Sequence, residues 1–194
     1  MSTEPLRLAV IVGSSRAGRF GPVISSWFTG IARERGDLDV DLIDLGEHAL
    51  PLELSQDPSP EARAVLAEVS PRLQAADAFV VVTPEYNHSF PAPLKNLIDW
   101  HYTQWQAKPV GFVSYGGLSG GLRAVEQLRP VFAELHAVTV RDCVSFHSAH
   151  EQFDADGRPR DETGPERAAK VLLDQLTWWG TALREARTRV PYGS

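Results

Sequence analysis

Five apolar runs divide the sequence, and each interval between them is long enough for one helix. Most of the runs are almost continuously apolar, which is typical of strands buried on both faces. The intervals repeat apolar residues at helical spacing. Strands and helices therefore alternate, and this predicts a parallel sheet covered by helices on both sides. The predicted strands are residues 6–13, 39–45, 78–84, 109–115 and 137–146.

Capping residues and prolines set the expected bounds of the helices. Pro22 suits the first turn of the first helix, and Ser59 suits the cap of the second. Pro71 is expected to kink or divide that second helix, because proline lacks the N–H that a helix interior needs. Thr163 and Glu166 resemble a capping box for the last helix. The predicted helices cover residues 21–36, 59–77, about 93–104, 118–136 and 163–188, with a polar, mobile loop over 150–164.

The size and order of these units predict one domain over residues 1–194. Five strand–helix units match a doubly wound α/β fold with strand order 2-1-3-4-5. In such sheets a ligand binds outside the carboxyl ends of the strands, between the first and third strands, where the order reverses. That rule selects the loops after the first, third and fourth strands as the candidate site.

Composition argues against several classes of protein. The net charge of −6 disfavours a broad nucleic-acid surface. No stretch reaches the roughly 20 apolar residues of a membrane helix, and the N-terminus lacks the features of a secretion signal. Cys143 is the single cysteine, so no intrachain disulfide forms and a reducing, cytoplasmic location is expected. We expect its thiol to be packed rather than nucleophilic.

The loop after the first strand reads GSSRAGRFGP and covers residues 13–22. It opens a helix, whose free N–H groups and dipole attract an anion. Ser14 and Ser15 offer hydroxyl donors, and the guanidinium of Arg16 suits phosphate oxygens. Arg19 adds a second positive charge. The loop therefore predicts a phosphate site, and the alternative is a solvated basic turn.

The loop after the third strand begins the stretch TPEYNHSFPAPLKNLIDW, residues 83–100. Its three prolines forbid a continuing strand and hold the chain in one irregular path. The main chain from Pro84 to Asn87 suits the edge of a planar heterocycle, and Tyr86 suits its face. The alternative is that Tyr86 is a half-buried packing residue and Glu85 an ordinary turn carboxylate.

Glycines dominate the loop after the fourth strand, SYGGLSGG, residues 114–121. Glycine lets the main chain approach a flat ligand closely. Ser114 and Tyr115 would contact the same ring system, and the alternative is a flexible turn needed for helix packing.

Aromatic residues cluster where the third helix is expected to end. Trp100, His101, Tyr102 and Trp105 lie within six positions of one another. Such a run indicates a buried contact, either with a partner subunit or with the core of the same chain, and both interpretations stay open.

Together these loops resemble the NADPH-dependent FMN reductase family, which has the flavodoxin-like fold and includes quinone and chromate reductases. The segments GSSRAGR, PEYNHSFPAPLKNLIDW and SYGGLSGG followed by LRAVEQLR carry the resemblance over roughly residues 6–146, and the middle segment is the most specific. Some members have serine and asparagine where this chain has Arg19, Phe20 and Gly21, so the resemblance does not assign the individual phosphate contacts there.

The resemblance implies non-covalently bound FMN, NADPH or NADH as co-substrate, and a small acceptor such as a flavin or quinone. Hydride transfer would occur in alternating half-reactions, with no catalytic side chain. It also implies a homodimer or homotetramer with the flavin near a subunit interface. The implied FMN contacts are Ser14, Arg16, Arg19, Phe20, Gly21, Pro22 and Val23 at the phosphate, Pro84, Glu85, Tyr86 and Asn87 at the ring, and Ser114, Tyr115, Gly116 and Gly117 on its other side.

Three other functions are weaker alternatives. A flavodoxin-type electron carrier would bind FMN but react poorly with NADPH. A serine hydrolase would use Ser119, which stands in a G-x-S-x-G match but is separated from the preceding strand by two glycines. A metal site would use His147, His150 and Glu151, but their order is not H-E-x-x-H and no metal is expected.

Overall fold

A five-stranded parallel sheet forms the centre of the computed structural model, which describes residues 4–161 and 163–193. The strands are β1 (Leu6–Val12), β2 (Leu38–Asp44), β3 (Ala78–Pro84), β4 (Pro109–Tyr115) and β5 (Val138–Phe146). The helices are α1 (Gly21–Arg33), α2 (Pro60–Ala75), α3 (Ala92–Asp99), α4 (Leu122–Glu134), α5 (Ala149–Gln152) and α6 (Thr163–Arg189), with a 3-10 turn at Thr103–Trp105. Every neighbouring pair is parallel and the order is β2-β1-β3-β4-β5, which confirms the predicted α/β fold.

The two faces of the sheet carry separate apolar cores. Successive strand residues point to opposite faces, so Leu8 and Val10 pack on the side of α1 and α6, while Ala9 and Ile11 pack on the side of α2, α3 and α4. All residues of β3 and β4 are buried. The edge strands β2 and β5 keep exposed positions, which explains why their sequences are less continuously apolar.

The expected division of the second helix at Pro71 does not occur. Helix α2 runs from Pro60 to Ala75 without a break. Pro71 removes the donor for the carbonyl of Ala67, but both residues lie on the exposed side of the helix. A carbonyl on the exposed side can be solvated without a helical partner, so the missing N–H does not have to end the helix.

Helix α4 begins four residues later than predicted, because two glycines adopt left-handed conformations. Gly120 and Gly121 have φ values of 61° and 85°. A Cβ on Gly121 would lie 2.7 Å from the Cβ of Ser114. The chain turns tightly against the end of β4 before Leu122 starts the helix, so residues 118–121 belong to the loop.

The loop expected to be mobile is largely anchored, and the predicted capping box is wrong. Phe153 is buried and forms an antiparallel bridge with Pro159. Helix α6 starts at Thr163 itself, and the carboxylate of Asp161 accepts the N–H groups of Thr163 at 3.1 Å and Gly164 at 3.4 Å. Asp161 therefore caps the helix from two residues upstream.

The structure bears on two expectations from composition, the packing of Cys143 and the absence of a membrane helix. Cys143 is half-buried in β5, and burial raises the pKa of its thiol, which keeps it in the less reactive protonated form. No helix within residues 4–161 and 163–193 combines the length and apolarity needed to cross a membrane.

Candidate active site

A cleft of about 510 Å3 opens at the carboxyl ends of β1, β3, β4 and β5. Four loops form its walls, and each loop directly follows one of these strands. The cleft therefore lies at the sheet edge that the reversal of strand order predicts. Its volume is within the range of small-molecule sites, about 300–1,000 Å3.

The loop after β1 presents free donors to the cleft. The N–H of Arg19 donates to the carbonyl of Arg16 at 3.1 Å, and Gly18 between them has a φ of 67°, as a type II turn requires. The side chain of Arg16 is exposed and has no ion pair or hydrogen bond with the described residues. The main-chain N–H groups of Ser15 and Ala17 also have no acceptor among them. Together with the start of α1, these groups are donors of the kind that can hold an anion.

Two predicted members of this loop are bonded to the protein itself. Ser14 is fully buried, and its hydroxyl lies 2.7 Å from the hydroxyl of Tyr86. Arg19 lines the cleft, but its guanidinium donates to both carboxylate oxygens of Asp44 and to the carbonyl of Ser14. Hydrogen bonding to Asp44 raises the pKa of Arg19. Arg16 is therefore the cation whose charge is available to a ligand in this loop.

A strained hairpin turn follows β3. Tyr86 and Ser89 exchange main-chain hydrogen bonds of 2.8 and 3.1 Å, and Asn87 and His88 between them have φ values of 49° and 71°. Two successive positive values define a type I′ turn, which is unfavourable for histidine. Gln127 of α4 donates to the carbonyl of His88 at 2.7 Å and accepts from the Ser89 hydroxyl. This clamp, together with the prolines, fixes the wall.

Glu85 is held in the same wall by three donors. Its carboxylate accepts from the Ser119 hydroxyl at 2.5 Å, from the Arg123 N–H at 3.2 Å and from the Arg123 guanidinium at 3.1 Å. Burial alone would raise the pKa of Glu85, but these hydrogen bonds outweigh it and lower the pKa below its ordinary value. Ser119 donates to a carboxylate and not to a histidine, so it lacks the general base that a serine nucleophile needs.

The loops after β4 and β5 are bonded to each other. Ser148 and Ala149 donate their N–H groups to the carbonyls of Gly117 and Gly116 at 2.9 and 3.1 Å. The N–H of Gly116 donates to Phe146, so it is not available to a ligand. The N–H of Gly117 has no acceptor among the described residues, and a Cβ there would meet no heavy atom within 4 Å. Main chain is therefore exposed to the open cleft at Gly117.

An aromatic wall joins the first loop to α5. The rings of Phe20 and His150 have centroids 4.5 Å apart, and Phe20 also packs on Phe153 at 5.3 Å. His147 is bonded through Nδ1 to the carbonyl of Leu118. Within the part of the chain that the structure describes, no three His, Cys, Asp or Glu residues are grouped to hold a metal ion.

Comparison with known proteins identifies the family. A family model described as NADPH-dependent FMN reductase matches residues 6–151. The chain belongs to this family. The NAD(P)H-dependent FMN reductase of Schizosaccharomyces pombe is 35% identical over 122 residues, 59% of this chain and 60% of that protein. Probable NADPH:quinone oxidoreductase 1 of Oryza sativa subsp. japonica is 33% identical over 178 residues, 87% of this chain and 89% of that protein.

Solved structures agree with this assignment. The flavoenzyme NAD(P)H:(acceptor) oxidoreductase FerB from Paracoccus denitrificans matches with a TM-score of 0.72 and 25% identity, covering 91% of this chain and 98% of that one. The resemblance to the FMN reductase family, the flavodoxin-like fold and the oxidoreductase class with FMN and NAD(P)H are thus confirmed.

The cleft suits FMN on its own chemistry. Arg16 and the free N–H groups beside α1 match a phosphate dianion. The exposed main chain at Gly117 lets a planar ring approach closely, and its N–H would donate to a ring heteroatom. Tyr86 also lines the cleft. The loop after β1 therefore fits the phosphate, and the loops after β3 and β4 fit the ring.

The structure brings together most of the residues predicted from the sequence. Those that line the cleft are Arg16, Arg19, Phe20, Pro84, Glu85, Tyr86, Tyr115, Gly116 and Gly117. Those outside the lining are Ser14, Gly21, Pro22, Val23, Asn87 and Ser114. Ser114 is buried and donates to the carbonyl of Gly120 at 2.8 Å, and the position of Gly21 leaves room for Tyr115, whose hydroxyl would lie 3.0 Å from a Cβ there.

Sequence reasoning missed the wall that follows β5. Ser148, Ala149, His150 and Glu151 follow β5 and line the cleft, as does Gly18 in the loop after β1. The strand-reversal rule directed attention to the first, third and fourth loops only. The signal for the fourth wall was present, because SAHE follows the carboxyl end of a neighbouring parallel strand.

The network at Glu85 predicts a pH-dependent contribution to stability. Because the folded-state pKa of Glu85 is lowered from 4.5, its contribution is present above the unfolded pKa and is lost as pH falls through the folded pKa. We expect the difference in melting temperature between the wild type and Glu85→Gln to be largest at pH 6–8 and to shrink below about pH 4.5. A difference that stays constant down to the acid transition would contradict the assignment.

Proposed function

We propose that this member of the family passes electrons from NAD(P)H through FMN to a quinone, a free flavin or a similar small acceptor. The observation that carries the proposal is the cleft itself, which is lined by Arg16, a cation with no partner among the described residues, and by the exposed main chain at Gly117. FMN, when bound, supplies the redox chemistry. The cleft contributes binding and orientation.

Each wall has a separate role in the proposal. Arg16 and the N–H groups of the loop after β1 bind the phosphate, and buried Ser14 supports that loop from behind. Tyr86 packs against the ring, and the hydrogen-bonded turn of Asn87 and His88 holds Tyr86 in place. The N–H of Gly117 donates to the opposite edge. The Ser119 hydroxyl donates to the carboxylate of Glu85, and no step of the proposed reaction needs a serine nucleophile.

The acceptor is proposed from chemistry and from the names of relatives. The cleft wall contains neutralised ion pairs at Arg19 with Asp44 and at Glu85 with Arg123. With Arg16 assigned to the FMN phosphate, these paired charges favour a flat neutral acceptor over a multiply charged one. The rice relative is named as a probable quinone oxidoreductase, and the yeast relative as an FMN reductase. Both acceptor classes are therefore proposed here.

We also propose a homodimer or homotetramer in the cytoplasm. Leu118 and Leu122 are 89% and 39% exposed at the rim of the cleft, where the resemblance implies a subunit interface. The single half-buried thiol fits a reducing compartment. Light scattering on the purified protein tests the assembly, and a monomer at all concentrations would contradict it.

An anaerobic reduction experiment tests the function. The purified protein is loaded with FMN, freed of excess flavin and mixed with NADPH or NADH while the absorption of the bound flavin is followed. We expect rapid bleaching, and recovery of the absorption when benzoquinone is added. The control is the same amount of free FMN without protein.

Each other outcome supports a different class of protein. Retained flavin that does not bleach would favour a non-catalytic electron carrier. A protein that retains no flavin would contradict the proposal, and labelling of Ser119 by a fluorophosphonate would then support a hydrolase.

A further inference from the structure

The ion pair of Arg19 and Asp44 joins the ends of two neighbouring strands. Asp44 ends β2, and Arg19 lies in the loop that follows β1. Nη1 of Arg19 donates to one carboxylate oxygen of Asp44, and Nη2 donates to the other at 2.9 Å. The two side chains are only 17% and 13% exposed. A bidentate pair with so little exposure fixes the guanidinium in one orientation.

The same guanidinium also closes the phosphate loop on itself. Nη1 of Arg19 donates to the carbonyl of Ser14 at 2.7 Å, across the exposed residues 15–18. Ser14 is in turn bonded to Tyr86. Arg19 therefore ties together the two ends of the segment 14–19, and holding these ends together reduces the ordering cost of binding a ligand between them.

The turn after β2 is shaped around this guanidinium. A Cβ at Gly46 would lie 2.3–2.9 Å from three guanidinium atoms of Arg19. Gly46 has no positive φ, so the backbone does not require glycine here and space does. Its N–H donates to Asp44 at 2.9 Å, which orients the carboxylate. The Asp44 carboxylate, the Gly46 N–H and the absence of a Cβ at Gly46 thus all support the ion pair with Arg19.

We propose that Asp44 is a positioning residue for the flavin phosphate: acting through Arg19, it holds residues 14–19 in the conformation that receives the phosphate. The inference rests on the proposed function. The expected direction of the change in FMN affinity is counterintuitive, because Asp44 is an anion close to an anion site. Simple repulsion predicts that removing its charge strengthens FMN binding, whereas a positioning role predicts that binding weakens.

Flavin titrations of four apo proteins test whether FMN binding weakens or strengthens. The proteins are the wild type, Asp44→Asn, Gly46→Ala and the control Gly36→Ala, whose added Cβ would meet no heavy atom within 4 Å. Each is titrated with FMN and with riboflavin, which lacks the phosphate. We expect Asp44→Asn to weaken FMN binding about tenfold or more and to change riboflavin binding much less. Gly46→Ala, which displaces the guanidinium without removing a charge, should act in the same direction.

The remaining outcomes overturn the inference in distinguishable ways. Unchanged or tighter FMN binding by Asp44→Asn would assign the pair to simple electrostatics, and an equal loss for both flavins would indicate general damage. If Asp44→Asn fails to fold, as judged by circular dichroism of the apo protein, Gly46→Ala decides alone. A wild type that binds neither flavin would remove the proposed function as well.

Discussion

Replacing Arg16 with alanine is expected to weaken FMN binding by about 1.5–3 kcal/mol, or roughly 10- to 150-fold, because a charge-assisted hydrogen bond is worth that much. Among the described residues nothing pairs with the Arg16 guanidinium, whereas Arg19 in the same loop is paired with Asp44. The bound phosphate would lose its ionic partner but keep the N–H groups at the start of α1. Fluorescence titration of the apo protein with FMN measures the change.

Arg33→Ala is the matched control for Arg16→Ala. Arg33 is an exposed arginine in the last turn of α1, about 18 Å along the helix from its start at 1.5 Å per residue. Both variants change the net charge by one unit, so long-range electrostatics affect them similarly. We expect Arg33→Ala to bind FMN as the wild type does and riboflavin to bind both variants alike. Equal losses in the two variants would remove Arg16 from the site.

The position of the cleft could be predicted because it follows from topology. Alternating strands and helices specify a parallel sheet, and the strand order specifies where the loops diverge. The sequence therefore predicts Pro84, Glu85, Tyr86 and Gly117 at this edge of the sheet, and all four line the cleft.

Partners of individual side chains could not be predicted in the same way. Arg19 is a phosphate candidate from its neighbours in sequence, but its partner Asp44 is 25 positions away and meets it only after β1 and β2 pair. The Ser119 hydroxyl meets Glu85 across 34 positions. Such pairs depend on register and loop geometry, for which a single sequence carries no direct signal. Local sequence patterns therefore predict which loops form the site, and long-range contacts determine which charged side chains are paired within the protein.

Local helix signals failed where tertiary contacts outweighed them. Thr163 and Glu166 have the spacing of a capping box. However, the carboxylate of Asp161 accepts the N–H groups of Thr163 and Gly164, and the carboxylate of Glu166 pairs with Lys170. The glycines before α4 were counted as helix and instead form a left-handed turn. In both cases a competing hydrogen bond or a steric limit replaced the intrinsic preference.

Trp105→Ala is expected to lower the free energy of unfolding by about 3–5 kcal/mol, the usual cost of removing a fully buried large aromatic side chain. The ring of Trp105 is 0% exposed and packs on Phe79 and Phe132 with centroids 4.8 and 5.5 Å away. Its indole N–H donates to the carbonyl of His101 at 2.8 Å. This aromatic residue therefore belongs to the core of its own chain, and truncation leaves a cavity and an orphaned carbonyl.

Trp178→Ala separates this core effect from the loss of any tryptophan. Trp178 is 65% exposed on α6, and exposed substitutions usually change stability by less than about 0.5 kcal/mol. In a chain of this size, the Trp105 variant should melt roughly 6–20 °C below the wild type, while the Trp178 variant should melt close to it. Thermal unfolding by circular dichroism gives both values. A Trp105→Ala protein that melts close to the wild type would contradict the assignment of this ring to the core.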